Sequence, residues 1–248
     1  MKIAGIITMN EQIYDNDVEV AVLVSGQLRT LDVCIESIKA AVLDRVGKYD
    51  LFAHVNLDEN IGKLQLLNAK KAVVTPQPLF DPKNYVVNNL NIKDTFGPDT
   101  RPLHAGIQNT LCQLWRLSET NKLKLEAERI RGKQYKWVIR LRPDLLFLSC
   151  IENISTLNPN YIYLPKVCNF FGYNDSFGFG GSKVMDVYYS RYLNLDIFPG
   201  FHPETMLKYV IDKSNIEVKR TDVTYLIQRK DGLQVGLIRE ERFGDVLE

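Results

Sequence analysis

Cysteine and histidine are scarce in this sequence, with four and three respectively among its 248 residues. The cysteines include no Cys-x-x-Cys pair and the histidines supply no ligands at matching spacing, which excludes the usual zinc sites. No apolar run approaches the roughly 18–20 residues that span a bilayer. The early segment Asn10-Glu11-Gln12 is too polar for the apolar core of a signal peptide. We therefore expect a cytoplasmic protein with reduced thiols and no transmembrane segment.

An excess of charge of either sign is also missing. The chain has 31 lysines and arginines against 30 aspartates and glutamates, a formal net charge of +1. No global field therefore recruits nucleic acid or an anionic membrane. With 45% hydrophobic residues and no repeat or low-complexity tract, the composition is that of a folded globular protein. No linker divides the sequence, so we predict a single domain over residues 1–248.

Apolar strands and amphipathic helices alternate along the chain. The nearly continuous apolar run at 18–25 is typical of a strand buried on both faces of a parallel sheet. The other predicted elements are a helix from Leu31, strands at 49–55 and 71–75, a long helix from His104, strands at 137–142, 161–164 and 176–181, helices at 182–193 and 203–211, and a C-terminal β-hairpin at 223–238. This order predicts an α/β fold with a mostly parallel central sheet flanked by helices, and a ligand at the carboxyl ends of the strands.

The segment 140–144, Arg-Leu-Arg-Pro-Asp, is the most informative one. Because side chains alternate along a strand, we expect Arg140 and Arg142 on the same face. Burying a guanidinium without a partner costs several kcal/mol, so the two imply internal carboxylates or a bound anion. The proline ends the strand and leaves Asp144 where α/β ligands bind. The alternative is structural, with Arg140 or Arg142 ion-paired to Asp50 or Asp144.

A second candidate segment, Ser25-Gly26-Gln27-Leu28-Arg29, follows the first strand. A glycine there lets backbone N–H groups approach a ligand closely, and Arg29 adds positive charge near a helix N-terminus. The segment is neither a dinucleotide fingerprint nor a P-loop. A tight strand-to-helix turn also needs a glycine without any ligand, which is the alternative interpretation.

Two carboxylates are candidates for proton transfer. Asp175 begins a Gly-rich strand among aromatic and Asn residues that can contact a sugar. Glu204 follows His202-Pro203 in the first turn of a helix. Either carboxylate can accept a hydroxyl proton. The alternatives are a turn aspartate and a glutamate that merely suits the helix dipole.

Three stretches together resemble the nucleotide-sugar-dependent glycosyltransferases of the GT-A fold, particularly the small glycan- or polysaccharide-building enzymes of bacteria and large viruses. They are VLVSGQLR at 22–29, YKWVIRLRPD at 135–144 and NDSFG at 174–178. The resemblance covers residues 18–212 in the order of elements. It implies a Rossmann-type sandwich in which 18–150 form the nucleotide-binding half and 151–248 the acceptor-side half.

The resemblance implies an enzyme of polysaccharide biosynthesis that moves a sugar from a nucleoside-diphosphate sugar to a glycan hydroxyl. The implied donor-binding residues are Ser25, Gly26, Gln27, Arg29, Arg140, Arg142 and Asp144, and the implied catalytic base is Asp175 or, second, Glu204. In that family an Asp-x-Asp motif holds Mn²⁺ or Mg²⁺, and Asp144 is the equivalent metal ligand. Since residue 142 is arginine, either Asp144 binds the metal alone or Arg140 and Arg142 neutralise the diphosphate directly.

The long connection 76–103 contains five prolines, and we predict that it is a mobile lid that closes over the donor. Two other functions remain open. A sugar nucleotidyltransferase would share the sheet, but it usually has a Gly-rich loop with a downstream lysine where this chain has Gln27-Leu28-Arg29. A non-catalytic carbohydrate-binding module on the same fold is favoured by the missing second aspartate.

Overall fold

The computed structural model describes residues 6–7, 14–80, 103–198, 202–232 and 234–235. The strands are β1 (Ile6–Ile7), β2 (Val20–Gly26), β3 (Tyr49–Asn56), β4 (Lys71–Thr75), β5 (Trp137–Leu141), β6 (Leu145–Phe147), β7 (Ile162–Pro165), β8 (Phe177–Gly180), β9 (Val218–Thr221), β10 (Tyr225–Gln228) and β11 (Gln234–Val235). The α-helices are α1 (Leu31–Ala41), α2 (Leu103–Arg131), α3 (Ser182–Tyr189) and α4 (Pro203–Lys213). None of the helices within these residues is long and apolar enough to cross a membrane.

Eight of the strands form one mixed sheet in the order β1-β4-β3-β2-β5-β8-β7-β9. The four central strands, from β4 to β5, are parallel to one another. Strand β8 pairs antiparallel with β5 and with β7, and β9 lies parallel to β7. Strands from both of the predicted halves therefore belong to the same sheet. The architecture confirms the predicted α/β class and is consistent with a Rossmann-like sandwich.

The sheet is buried on both faces, which explains its nearly continuous apolar strands. In β2, Val20, Val22 and Val24 pack in the cluster that contains α1. Ala21 and Leu23 point the other way, into the cluster formed with α2, α3 and α4. Because successive side chains alternate between faces, each strand residue meets a helix layer on one side or the other.

The chain changes direction across the sheet between β2 and β5. From β2 it proceeds to β3 and β4 on one side, and after α2 it returns to β5 on the other side of β2. The carboxyl ends of β2 and β5 are therefore neighbours, although the chain leads from them to opposite sides of the sheet. Such a switch point is where open α/β sheets form a crevice and bind ligands.

The C-terminal hairpin is more connected than the sequence predicts. Its strands β10 and β11 pair antiparallel, but β10 also pairs with β6, the short strand after the Arg-Pro-Asp turn. These three strands form a second sheet. The sequence did not predict β1, β6 or β9. It predicted one helix over 182–193, where the structure has α3 followed by a 3₁₀ segment, Ser190–Ile197. Most of the predicted lid, 81–102, lies outside the described residues.

Close packing between β8 and its neighbours leads to a stability prediction. A Cβ at Gly180 would lie 2.7 Å from the Tyr161 carbonyl oxygen and 2.9 Å from a Val184 methyl group. Overpacking of this kind costs about 1–3 kcal/mol, so Gly180→Ala should lower the free energy of unfolding by that amount in urea denaturation. Gly62→Ala is the matched control because nothing lies within 4 Å of its Cβ position. Equal stability of the two variants would contradict the packing described.

Candidate functional site

The loops after β2 and β5 meet at the switch point. Gly26 ends β2 with φ of +130°, a conformation that side chains rarely adopt, and its Cβ position lies 3.7 Å from the Pro143 ring. The glycine is therefore required by the backbone turn rather than by lack of space. Ser25 before it is buried, and Gln27 and Arg29 after it line an open cleft. The structure thus brings the candidate segment 25–29 to the carboxyl edge of the parallel strands, as the sequence predicts.

Asp144 is surrounded by three guanidinium groups. Arg142 donates two hydrogen bonds to it, from Nε to Oδ1 at 3.0 Å and from Nη2 to Oδ2 at 2.8 Å. Arg229 and Arg29 approach Oδ2 to 3.7 and 3.8 Å. Burial alone would raise the pKa of Asp144, but the charge and hydrogen bonds of Arg142, then Arg229 and Arg29, hold it below its ordinary value. The carboxylate is therefore ionised at neutral pH.

The arginine cluster, Arg29, Arg142 and Arg229 around Asp144, contains two more positive charges than negative ones. The side chains of Arg29 and Arg229 are 33% and 35% exposed, whereas Asp144 is 5% exposed. At 3.7–3.8 Å the two outer arginines lie beyond hydrogen-bond distance of the carboxylate. The buried Nε of Arg29 has no hydrogen-bond partner among the described residues, and an anion is the chemistry that this guanidinium fits.

A cleft of about 360 Å³ opens beside this cluster. It lies at the carboxyl ends of β2, β3 and β4 and is lined by Gln27, Arg29, Asn56, Leu57, Asp58, Glu59, Asn60, Gln77 and Lys230. Two buried atoms of this lining, Asn56 Oδ1 and Arg29 Nε, have no hydrogen-bond partner among the described residues. Buried polar groups are normally satisfied, so these atoms point to a ligand or ordered water in the cleft.

The C-terminal hairpin carries Lys230 to the cleft and Arg229 to Asp144 beside it. The Gln228 N–H donates to the Asp144 carbonyl at 2.8 Å, and the Thr30 hydroxyl donates to the Gln228 carbonyl at 3.0 Å. The Lys230 ammonium pairs with Glu59 at 3.2 Å, across the loop that follows β3. Sequence reasoning missed both basic residues. Their adjacency to the Asp231-Gly232 turn was the available signal, but nothing local places that turn at the switch point.

The position of Arg140 differs from the prediction. Its side chain is 1% exposed, inside the sheet–helix layer, and its Nη1 donates to the Leu141 carbonyl at 2.6 Å. Asp50 is not its partner, because Asp50 accepts from the Tyr135 hydroxyl at 2.6 Å. Burial lowers the pKa of Arg140, and the nearby Tyr189 and Tyr188 offset part of that effect. Arg140 therefore does not reach the cleft, whereas Arg142 forms the ion pair with Asp144 that the sequence offered as an alternative.

Asp175 lies on the helix side of the sheet, in contact with three polar partners. Its Oδ2 accepts from Gln113 Nε2 at 2.5 Å and from Arg191 Nη1 at 3.2 Å. Its backbone carbonyl accepts from the Tyr188 hydroxyl at 2.6 Å. With 3% exposure, the carboxylate is held in place and is not open to a substrate hydroxyl in this arrangement.

Glu204 lies near Asp175 and remains partly accessible. Its side chain is 15% exposed, and Oε2 lies 3.1 Å from Nδ1 of His202. Burial, followed by the negative charge of Asp175, raises the pKa of Glu204 well above its usual range. Burial lowers the pKa of His202. The charges of Arg191 and Arg142 act on Glu204 in the opposite direction, so the two sites are close enough to interact electrostatically.

Asp144 does not fit the metal role that the resemblance implies. Both of its oxygens accept hydrogen bonds from Arg142, and the surrounding positive charge opposes a second cation. Within the described ranges, no group of three or more His, Cys, Asp or Glu could hold a metal ion. The residues around Asp144 therefore fit an anion better than Mn²⁺ or Mg²⁺.

Comparison with known proteins gives a family but no activity. The profile of the family described as "Domain of unknown function (DUF7796)" matches residues 15–228, from before β2 to the end of β10. The chain belongs to the DUF7796 family. No protein with curated annotation matches its sequence. The matched stretch of this DUF7796 chain contains Arg29, Arg142 and Asp144, and Arg229 follows it directly.

The arginine cluster predicts an anion-dependent stability. Asp144→Asn removes the carboxylate that pairs with Arg142, and breaking a buried pair in this way should cost roughly 3 kcal/mol of unfolding free energy. Sulfate should recover part of that loss in denaturant titrations, because it binds the native cluster. Asp222→Asn, which removes an exposed ion pair with Lys166, should change stability by less than about 1 kcal/mol. A sulfate response of equal size in all three proteins would count against the cluster.

The raised pKa of Glu204 predicts that the stability of the fold decreases as the pH rises. Because its pKa is raised on folding above 4.5, its contribution to stability is complete below about pH 4.5 and is lost as the pH rises through the folded-state value. The side chain in Glu204→Gln cannot ionise, so this variant does not lose stability in that way. The variant should therefore gain stability relative to the wild type as the pH rises above 4.5, by up to about 1.4 kcal/mol per pH unit. A stability difference that stays constant with pH would disprove the assignment.

Proposed function

We propose that this DUF7796 chain is a glycosyltransferase that uses a nucleoside-diphosphate sugar and binds the diphosphate with arginines instead of a metal ion. The observation that carries the proposal is the arginine cluster at the β2–β5 switch point, with its two positive charges in excess. The adjoining cleft gives the nucleoside a place at the carboxyl ends of β2–β4. A GT-A arrangement of the sheet belongs to the same proposal.

The chemistry of sugar transfer explains why such a cluster is useful. An acceptor oxygen forms a bond to the anomeric carbon while the bond from that carbon to the β-phosphate oxygen breaks. The nucleoside diphosphate leaves with that electron pair and gains negative charge. Guanidinium groups already directed at the phosphates stabilise this charge without rearrangement. Arg29, whose Nε has no hydrogen-bond partner among the described residues, supplies a donor for the phosphates, Arg229 adds its positive charge, and Asp144 fixes the orientation of Arg142.

The acceptor hydroxyl must also lose a proton, and Glu204 is better suited to accept it than Asp175. Asp175 is already bound by Gln113 and Arg191. Glu204 has a raised pKa, which makes its deprotonated form a stronger base, and its side chain remains partly exposed. Arg142 connects the two regions because its Nη1 lies 3.3 Å from the Ser176 hydroxyl, beside Asp175.

The experiment is calorimetric titration with UDP and GDP in EDTA, repeated with Mn²⁺. At least one nucleoside diphosphate should bind in EDTA. Arg29→Ala and Arg229→Ala should each weaken it about tenfold or more, since a charge-assisted hydrogen bond contributes about 1.5–3 kcal/mol. The same substitutions should weaken the binding of the corresponding nucleoside monophosphate by a smaller factor. Arg129→Ala, an exposed arginine on α2, is the matched control and should bind as the wild type does.

Two results would overturn the proposal. One is the absence of binding by either nucleoside diphosphate in both conditions. The other is equal binding by the arginine variants and the wild type, which would leave the cluster a structural ion-pair network. Binding without turnover of any nucleotide sugar in a hydrolysis assay would favour the carbohydrate-binding alternative instead.

A further inference from the structure

The loop after β7 has an unusual backbone. Cys168, Phe170 and Phe171 have positive φ values of 58°, 42° and 64°. Three such residues among four, none of them glycine, are rare, and bulky aromatic residues are disfavoured in this region. Unfavourable backbone conformations persist where the surrounding structure enforces them, and they concentrate at ligand-binding sites.

The surrounding structure does enforce this conformation. A Cβ at Gly172 would lie 2.1 Å from the carbonyl carbon of Glu204, so the loop is pressed directly against the start of α4. The Tyr173 N–H donates to the Glu204 carbonyl at 3.0 Å. On the same stretch, the Asn174 amide donates to the Val167 carbonyl at 2.7 Å and accepts from the Tyr225 hydroxyl at 2.7 Å.

The conformation leaves the Phe171 side chain 89% exposed. An aromatic ring in water contributes almost nothing to folding, so neither its exposure nor its unfavourable backbone is explained by stability. Two residues further along the same loop, the ring of Tyr173 has charged neighbours. Lys208 and Arg220 lie 4.9 and 5.7 Å from that ring. An exposed aromatic ring on a loop that also carries hydrogen-bonding groups is suited to a carbohydrate, whereas protein partners generally need a wider apolar patch.

We propose that Phe171 is a stacking platform for a carbohydrate, which the loop holds at a fixed position relative to Glu204. This inference rests on the proposed function in one respect, because the carbohydrate bound at Phe171 is the acceptor of the proposed sugar transfer. The hydrogen bond from Tyr173 to Glu204 and the contact at Gly172 then join the platform to the proposed base through the backbone. A sugar ring on Phe171 would be held in a defined register with the proton acceptor.

The test is saturation-transfer NMR and affinity titration of the full chain with malto-, cello-, xylo- and chito-hexaose. At least one should bind the wild type. Phe171→Ala should weaken that binding about fivefold or more, and Phe171→Trp should retain it. Leu148→Ala, at another exposed apolar residue, is the control and should bind normally. The proposal is overturned if the wild type binds none of the four, or if Phe171→Ala binds as well as the wild type.

A second variant separates function from folding. Phe171→Gly suits the positive φ, so its melting temperature should equal or exceed that of the wild type while hexaose binding is lost. A lower melting temperature would show that Phe171 serves stability and would overturn the platform. Binding of UDP or GDP should be unchanged in every Phe171 variant. Failure of the nucleotides to bind, with Phe171-dependent hexaose binding intact, would refute the proposed donor chemistry and leave the platform standing.

Discussion

The ion pair between Arg142 and Asp144 is the interaction on which the rest of the site depends. It is bidentate and almost buried, and it fixes the turn that follows β5. The backbone carbonyl of Asp144 also receives the N–H of Gln228, which brings the end of β10 to the same place. One short segment therefore orients the cluster through its side chain and holds the C-terminal hairpin through its backbone. Without it, Arg29 and Arg229 would have no common centre.

The same segment separates two electrostatic environments. On the cleft side, the guanidinium groups of Arg29, Arg142 and Arg229 surround Asp144. On the helix side, Asp175 and Glu204 lie close enough that the pKa of Glu204 is raised. Arg142 acts on both sides, because it binds Asp144 and its charge reaches Glu204. In the proposed function, the cations stabilise the leaving group and Glu204 accepts the hydroxyl proton.

Parts of this arrangement could be predicted because they are local. The run around Val20–Gly26 indicates a strand buried on both faces, and the sheet confirms it. The rule that ligands bind beyond the carboxyl ends of parallel strands placed Gly26, Arg29 and Asp144 at one edge, where they are found. Arg140 shows the limit of the same reasoning. Alternation predicts a face of the sheet, but it does not predict whether a helix covers that face.

The amino-acid sequence by itself determined the α/β class, the order of the main strands and helices, and the turn residues after β2 and β5. Those features follow from hydrophobic period and backbone preference, which act over a few neighbouring residues. Tertiary structure alone decided that β10 pairs with β6, that Arg229 joins residues far away in sequence, and that Asp144 faces three guanidinium groups. The physical reason is that the partners of a charged group and the register of a strand depend on which segments meet in space. Which segments meet depends on the packing of the whole sheet.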